Sequence, residues 1–226
     1  MPQLHGESFI QIWMKNITTI NIKELGELNN MQNKQQTVVL ATRNVGKARE
    51  FENLFKSKNI SIATLDDIGF TEEIEETGDS FEENAALKVK AVSGYTQLPV
   101  IADDSGLEVD SLKGAPGIYS ARYAGEKASD SQNRKKLLDN LYNKQNRSAR
   151  FVCALAYKEC KKEILIVRGE CEGKISQIEL GENGFGYDSL FIPMEYEKTF
   201  GELGKSIKKK LSHRAKAVAE LLRLIT

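Results

Sequence analysis

The chain has 226 residues, 40% of them hydrophobic and 28% charged, which suits one domain with an appendage and a core that needs no staples. Lys and Arg number 32 and so do Asp and Glu; zero net charge argues against nucleic-acid binding by bulk charge and leaves open a local basic patch. No apolar run approaches the ~18 residues of a membrane span.

Residues 1–36 end in the polar run Asn29-Asn30-Met31-Gln32-Asn33-Lys34-Gln35-Gln36. They lack the basic start and apolar block of a signal peptide, so a loosely ordered extension is expected there. From Thr37 the pattern is regular. Val38-Val39-Leu40-Ala41 reads as a buried strand, and residues 47–58 as a helix with Ala48, Phe51 and Phe55 on one face. Ile60-Ser61-Ile62-Ala63 is a second strand. Ser80 with Glu83 predicts a capping box, followed by Phe81, Ala85, Val89 and Val92 at helical spacing. Pro99-Val100-Ile101-Ala102 is a third strand, and Ser129 opens a helix carrying Leu137, Leu138 and Leu141. Two strands follow, over residues 151–157 and 164–167. Ser212 caps a last helix expected to bury Ala215, Val218, Leu222 and Ile225. Strands alternating with helices, then clustered, predict an α/β domain over residues 37–226 on a mixed sheet.

Several stretches carry chemistry. Thr42-Arg43-Asn44-Val45-Gly46-Lys47 joins the first strand to the first helix. Free backbone N–H groups, a dipole end, Gly46 and a cation together suit a phosphate, although an ordinary βα turn looks the same. Nine carboxylates and no Lys or Arg lie between Asn59 and Leu87. Most of these are expected to be solvated, with one or two left to face a metal. Asp103 and Asp104 follow the third strand, where open α/β sheets bind ligands. Side by side they call for a neutralising Mg²⁺, unless they form a simple turn. Gly184-Phe185-Gly186-Tyr187-Asp188 interleaves glycine with aromatics and offers a face for a purine to stack on, or a core turn. Lys208 and the run Ser212-His213-Arg214 place cations where a helix begins, against its dipole, which points to an anion or ligand there, unless this is a solvated basic end.

Cys153, Cys160 and Cys171 are odd in number and form no C-x-x-C pair, which points away from a disulfide framework and toward the cytoplasm. His5 and His213 are the only histidines, so a multi-histidine metal site is excluded.

In that order and at that spacing, these stretches resemble the inosine/xanthosine triphosphate pyrophosphatase family. Glu76-Thr77-Gly78, Ala102-Asp103-Asp104-Ser105-Gly106-Leu107 and the run from Gly114 to Arg122, Gly-Ala-Pro-Gly-Ile-Tyr-Ser-Ala-Arg, extend the match. The resemblance implies a long, curved mixed sheet flanked by helices, with two lobes around a central cleft, usually as a homodimer. It implies Mg²⁺-dependent hydrolysis of noncanonical purine triphosphates (ITP, dITP, XTP) to monophosphate and pyrophosphate. Thr42, Arg43, Asn44, Val45, Gly46 and Lys47 would hold the triphosphate. Glu76 and Asp104 would bind the metal, and Asp104 would also be the catalytic base, with Asp103 a possible sharer of either role. Ser105, Phe185, Gly186, Tyr187, Asp188, Lys208, His213 and Arg214 would surround the nucleotide.

Three substitutions depart from the family pattern. Arg43 stands where a small residue is common, Ser189 replaces a usual Pro and leaves that loop looser, and Ser206-Ile207 replaces an acidic pair. Two other readings remain at this stage. One is a pyrophosphatase for pyrimidine or modified nucleotides; the other is a non-enzymatic nucleotide- or RNA-binding module. Neither a nucleic acid nor a membrane is expected as a partner.

Overall fold

Runs of apolar residues at the strand period, spaced by helices with one apolar stripe, leave these stretches one way to bury their faces: helices laid on a sheet. The structure, a computed structural model, describes residues 36–225. The extension expected over residues 1–36 lies, apart from Gln36, outside the described residues. The strands are β1 (Gln36–Leu40), β2 (Ile60–Ala63), β3 (Val100–Val109), β4 (Ser148–Lys158), β5 (Leu165–Ile175) and β6 (Phe191–Pro193). The helices are α1 (Val45–Phe55), α2 (Phe81–Ser93), α3 (Asp130–Asn140), α4 (Lys205–Leu211) and α5 (His213–Ile225).

The six strands form one sheet in the order β2-β1-β3-β4-β5-β6. β1 runs parallel to β3; β3, β4, β5 and β6 pair antiparallel in turn, so the sheet is mixed as expected. Helices cover both faces. Val100 and Ala102 of β3 pack with Phe81, Ala85, Val89 and Val92 of α2. Ile101, one residue out of phase, packs instead with Phe51 and Phe55 of α1 and Ala217, Val218 and Leu221 of α5. Further along, Leu107 and Val109 join Leu137 of α3 and Phe191 of β6.

β3 corrects the sequence reading most. A strand over residues 99–102 was expected to end before the aspartates, yet β3 continues to Val109 and carries Asp103-Asp104-Ser105-Gly106 inside it. β4 pairs with it along the whole length, from Val100 opposite Lys158 to Val109 opposite Ala149, which satisfies the backbone through the polar stretch. On the other side, β1 pairs only at Val39–Val100 and Leu40–Ile101. Beyond Ile101, no strand among the described residues pairs with that edge of β3. Because neighbouring residues of a strand point to opposite faces, Asp103 and Asp104 are not a pair on one face.

Other boundaries moved for local reasons. α1 starts at Val45, not at residue 47, because Asn44 caps it: Asn44 Oδ1 accepts from Lys47 N at 3.0 Å. Ser80 caps α2 by accepting from Glu83 N, but Glu83 Oε2 turns to Asp79 N, so the reciprocal bond of a capping box is missing. The full box forms at Ser129 and Gln132. Ser212 caps α5 as expected, accepting from Ala215 N at 3.2 Å. Its buried face is His213, Arg214, Ala217, Val218 and Leu221, with Ala215 only half-buried.

Candidate active site

Asp103 sits on the α1/α5 face and is fully buried. Lys47, from the first helical turn after β1, places Nζ 2.6 Å from Asp103 Oδ2 and donates to the Asp103 carbonyl at 3.4 Å. Arg214 Nε lies 3.6 Å from Asp103 Oδ1, which also accepts from Ser105 Oγ and from Cys153 Sγ at 3.0 Å. Burial alone would raise the Asp103 pKa. The Lys47 and Arg214 charges overcome it and hold the carboxyl well below the ordinary range, so Asp103 is a carboxylate committed to its cations.

Asp104 sits on the α2 face. Its Oδ1 is 3.3 Å from Lys88 Nζ, and Lys88 Nζ is 2.7 Å from Glu76 Oε1. Burial raises the Asp104 pKa, helped by the Glu76 and Asp103 charges, and Lys88 only partly offsets them. Burial works against the Lys88 charge as well, yet the Asp104 and Glu76 carboxylates together hold its pKa above the usual lysine value. Asp104 Oδ2 is buried with no hydrogen-bond partner.

That oxygen tests whether the residues suit a divalent cation. An orphaned buried carboxylate oxygen beside a second carboxylate is a hard-oxygen donor set, which fits Mg²⁺. No group of three or more His, Cys, Asp or Glu converges among the described residues. Mg²⁺ does not require one, since it is commonly bound through one or two carboxylates, waters and substrate phosphates. Of the nine carboxylates before Leu87, only Glu76 and Glu82 are not fully exposed. Glu82 pairs with Arg168, so Glu76 is the one that reaches the site.

The other expected residues divide. Asn44 and Thr42 shape the turn: Thr42 Oγ1 accepts from Asn44 N at 3.2 Å. Arg43 folds away from this cluster, donating to the carbonyls of Phe70 (3.3 Å) and Glu72 (2.9 Å). Val45 is exposed. Phe185 lies over the Lys208 ammonium (4.9 Å) and the Arg214 guanidinium (5.5 Å). A Cβ on Gly46 would touch the Phe185 ring at 3.0 Å, so the glycine lets ring and turn meet. Tyr187 is a structural member: buried, its hydroxyl donates to the Ser120 carbonyl at 2.8 Å. Asp188 Oδ2 accepts from Phe185 N (2.9 Å) and Lys208 Nζ (2.6 Å). His213 is buried and stacked on Phe151 at 4.9 Å, and burial with the Arg214 and Lys208 charges keeps it neutral. Its Nδ1 has no hydrogen-bond partner.

Sequence reasoning missed Lys88 and Glu50. Glu50 takes Lys208 at 2.5 Å and Arg214 at 2.7 Å. The signal for Lys88 was present: it occupies a buried position in the stripe Phe81, Asn84, Ala85, Lys88, Val89, Val92. A lysine inside an apolar stripe needs a buried partner.

A mixed α/β sheet that sets two carboxylate–cation clusters beside the turn of residues 42–47 is the frame of a candidate active site. The Ham1 family profile matches residues 38–224. A dITP/XTP pyrophosphatase of Bacillus licheniformis is 49% identical over 190 residues, covering 83% of this chain and 97% of the relative. One from Bacillus subtilis is 48% identical over 83% and 96%. The solved structure of the Staphylococcus aureus Ham1 protein superposes with a TM-score of 0.76 at 41% identity, over 84% of this chain and 98% of that one. The chain belongs to the Ham1 family and is a hydrolase. No helix among the described residues is long and apolar enough to cross a membrane.

Proposed function

We propose that this enzyme hydrolyses noncanonical purine nucleoside triphosphates (ITP, dITP and XTP) to the monophosphate and pyrophosphate, with Mg²⁺. The carrying observation is that one strand delivers Asp103 and Asp104 into two cation clusters beside the turn of residues 42–47. The names of the relatives support the substrate class. Residues 37–226 carry the activity, in a cleft between two lobes; a homodimer in the cytoplasm completes the reading and rests on the family resemblance.

Lys47, with the free N–H groups at the start of α1, neutralises charge on the leaving pyrophosphate. Asp103 holds Lys47 and Arg214 in place. Glu76 and Asp104 are the residues that would hold Mg²⁺, which when bound neutralises and orients phosphate oxygens. Asp104 Oδ2 takes the proton of the attacking water, and its raised pKa brings it toward the range of a useful base. Phe185 offers a face to the base, and the Arg214 guanidinium offers donors that suit a 6-oxo group.

Pyrophosphate release with Mg²⁺ and ITP, run beside XTP, ATP and dTTP, tests the reading. A site whose buried donors lose their acceptor rejects the analogue by up to ~10⁴–10⁵. ITP and XTP should therefore be turned over far faster than ATP or dTTP. Comparable kcat/KM for ATP and ITP overturns the base assignment; no release from any of the four overturns the activity.

A further inference from the structure

The glycine-aromatic loop is held from a distance. Gly184 and Gly186, on either side of Phe185, have φ of +84° and +60°. At Gly184 a side chain would run into Asp188, so both space and backbone demand glycine there. At Gly186 nothing lies within 4 Å of an added Cβ, so the positive φ and not crowding calls for glycine there. Both of its backbone polar groups are hydrogen-bonded by side chains. Asp130 Oδ2 accepts from Gly186 N at 2.7 Å, and Arg134 NH1 donates to the Gly186 carbonyl at 2.9 Å. The two side chains stand at i and i+4 at the start of α3, on one face of the helix, so together they grip both polar groups of one residue.

The grip is itself anchored. Arg134 Nε pairs with Glu179 Oε2 at 2.8 Å, and Ser189 Oγ donates to the same oxygen at 3.4 Å. Asn133, between them on α3, is buried; it accepts from Ala124 N (2.7 Å) and donates to the Ala121 carbonyl (3.0 Å), fixing the helix to the turn after residue 117. Among the described residues, no hydrogen bond or ion pair joins Asp130 or Arg134 to Asp104, Lys88 or Lys47.

We propose that Asp130 and Arg134 are positioning residues that set purine affinity by holding Gly186, and through it the Phe185 ring, over Lys208 and Arg214. The assignment rests on the purine triphosphate reading above; Asp130 and Gly186 line the same pocket as Phe185, so the test separates an effect through the ring from a direct one. Phe185 N stays bonded to Asp188 without the pair, but Gly186 can then leave the left-handed region at little cost, and the ring is held less tightly when the base arrives.

Two measurements test this. In steady-state kinetics with ITP, D130A/R134A should raise KM about tenfold, the size expected for losing a hydrogen bond to a charged group, with kcat within about twofold. In an F185A background the same double change should add nothing, because the ring it positions is gone. D130N, which keeps an acceptor oxygen, should reverse most of the KM rise seen in D130A. Unchanged KM, or an equal KM rise with and without Phe185, overturns the proposal. The second measurement needs no substrate. With Phe185→Trp as reporter in a Trp13→Phe chain, D130A/R134A should lower the fluorescence anisotropy of the indole, and unchanged anisotropy overturns the proposal. If the parent protein fails to turn over ITP, the substrate reading falls and this second measurement still decides the clamp.

Discussion

At the scale of single residues, burial and counter-charge give the two aspartates different tasks. Asp104 is a carboxyl whose charge the fold does not favour, while Asp103 is one whose charge the fold requires. Asp104→Asn leaves Lys88 its Glu76 partner, so it should fold, and it should lose kcat by the ~10²–10⁴ typical of a missing general base; pyrophosphate release on the purified variant checks it. Asp103→Asn strips Lys47 and Arg214 of their buried partner and should cost stability as well as rate. His213 gives a pH prediction of known sign. Its folded pKa lies well below the ordinary value of about 6.5, so the unfolded chain binds the proton first. Stability should be full above about pH 6.5 and should fall by about 1.4 kcal/mol for each pH unit below it, until the folded pKa is reached. Denaturant melts between pH 5 and 7 should show this slope, and His213→Phe, which keeps a ring against Phe151, should lose it.

At the scale of elements, the sequence was legible where periodicity was strong and misleading where polarity interrupted it. α2 was readable from Phe81, Ala85, Val89 and Val92, and α5 from its Ser212 cap. β3 was not, since Asp103-Asp104-Ser105-Gly106 reads as a turn. What keeps it a strand is non-local: β4 on one edge, and Lys47, Lys88 and Arg214 from three helices. The same distance hid Lys88 and Glu50, whose partners are twelve or more residues away in sequence. The loop expected to be loosened by Ser189 is tied by that serine to Glu179 and, through it, to Arg134. Gly106 shows how tightly β3 meets its surroundings. A Cβ there would collide with the Gly117 carbonyl and come within 2.6 Å of Ser120 Oγ, the oxygen that caps Leu107 N. Gly106→Ala should destabilise the protein by about 1–3 kcal/mol through forced overpacking, measured as a lower denaturation midpoint with unchanged m-value.

At the scale of the whole molecule, every described element and the family match begin at or after Gln36. A chain starting at Gln36 should keep its Tm and its kcat/KM for ITP within about twofold of the full protein; thermal melts and turnover on the truncated chain check it. The alternation along β3 has a wider consequence. Asp103 answers to α1 and α5, the helices that also carry Glu50, His213 and Arg214, whereas Asp104 answers to α2 through Lys88. On the proposed reading, the carboxyl assigned to hydrolysis and most of the groups assigned to the base are packed by helices on opposite faces of β3, with Lys47 acting on both aspartates. On that reading, drift in recognition can accumulate on one layer while the layer that carries Asp104 stays as it was. Such a partition lets a scaffold change what it discards without relearning how to cut it.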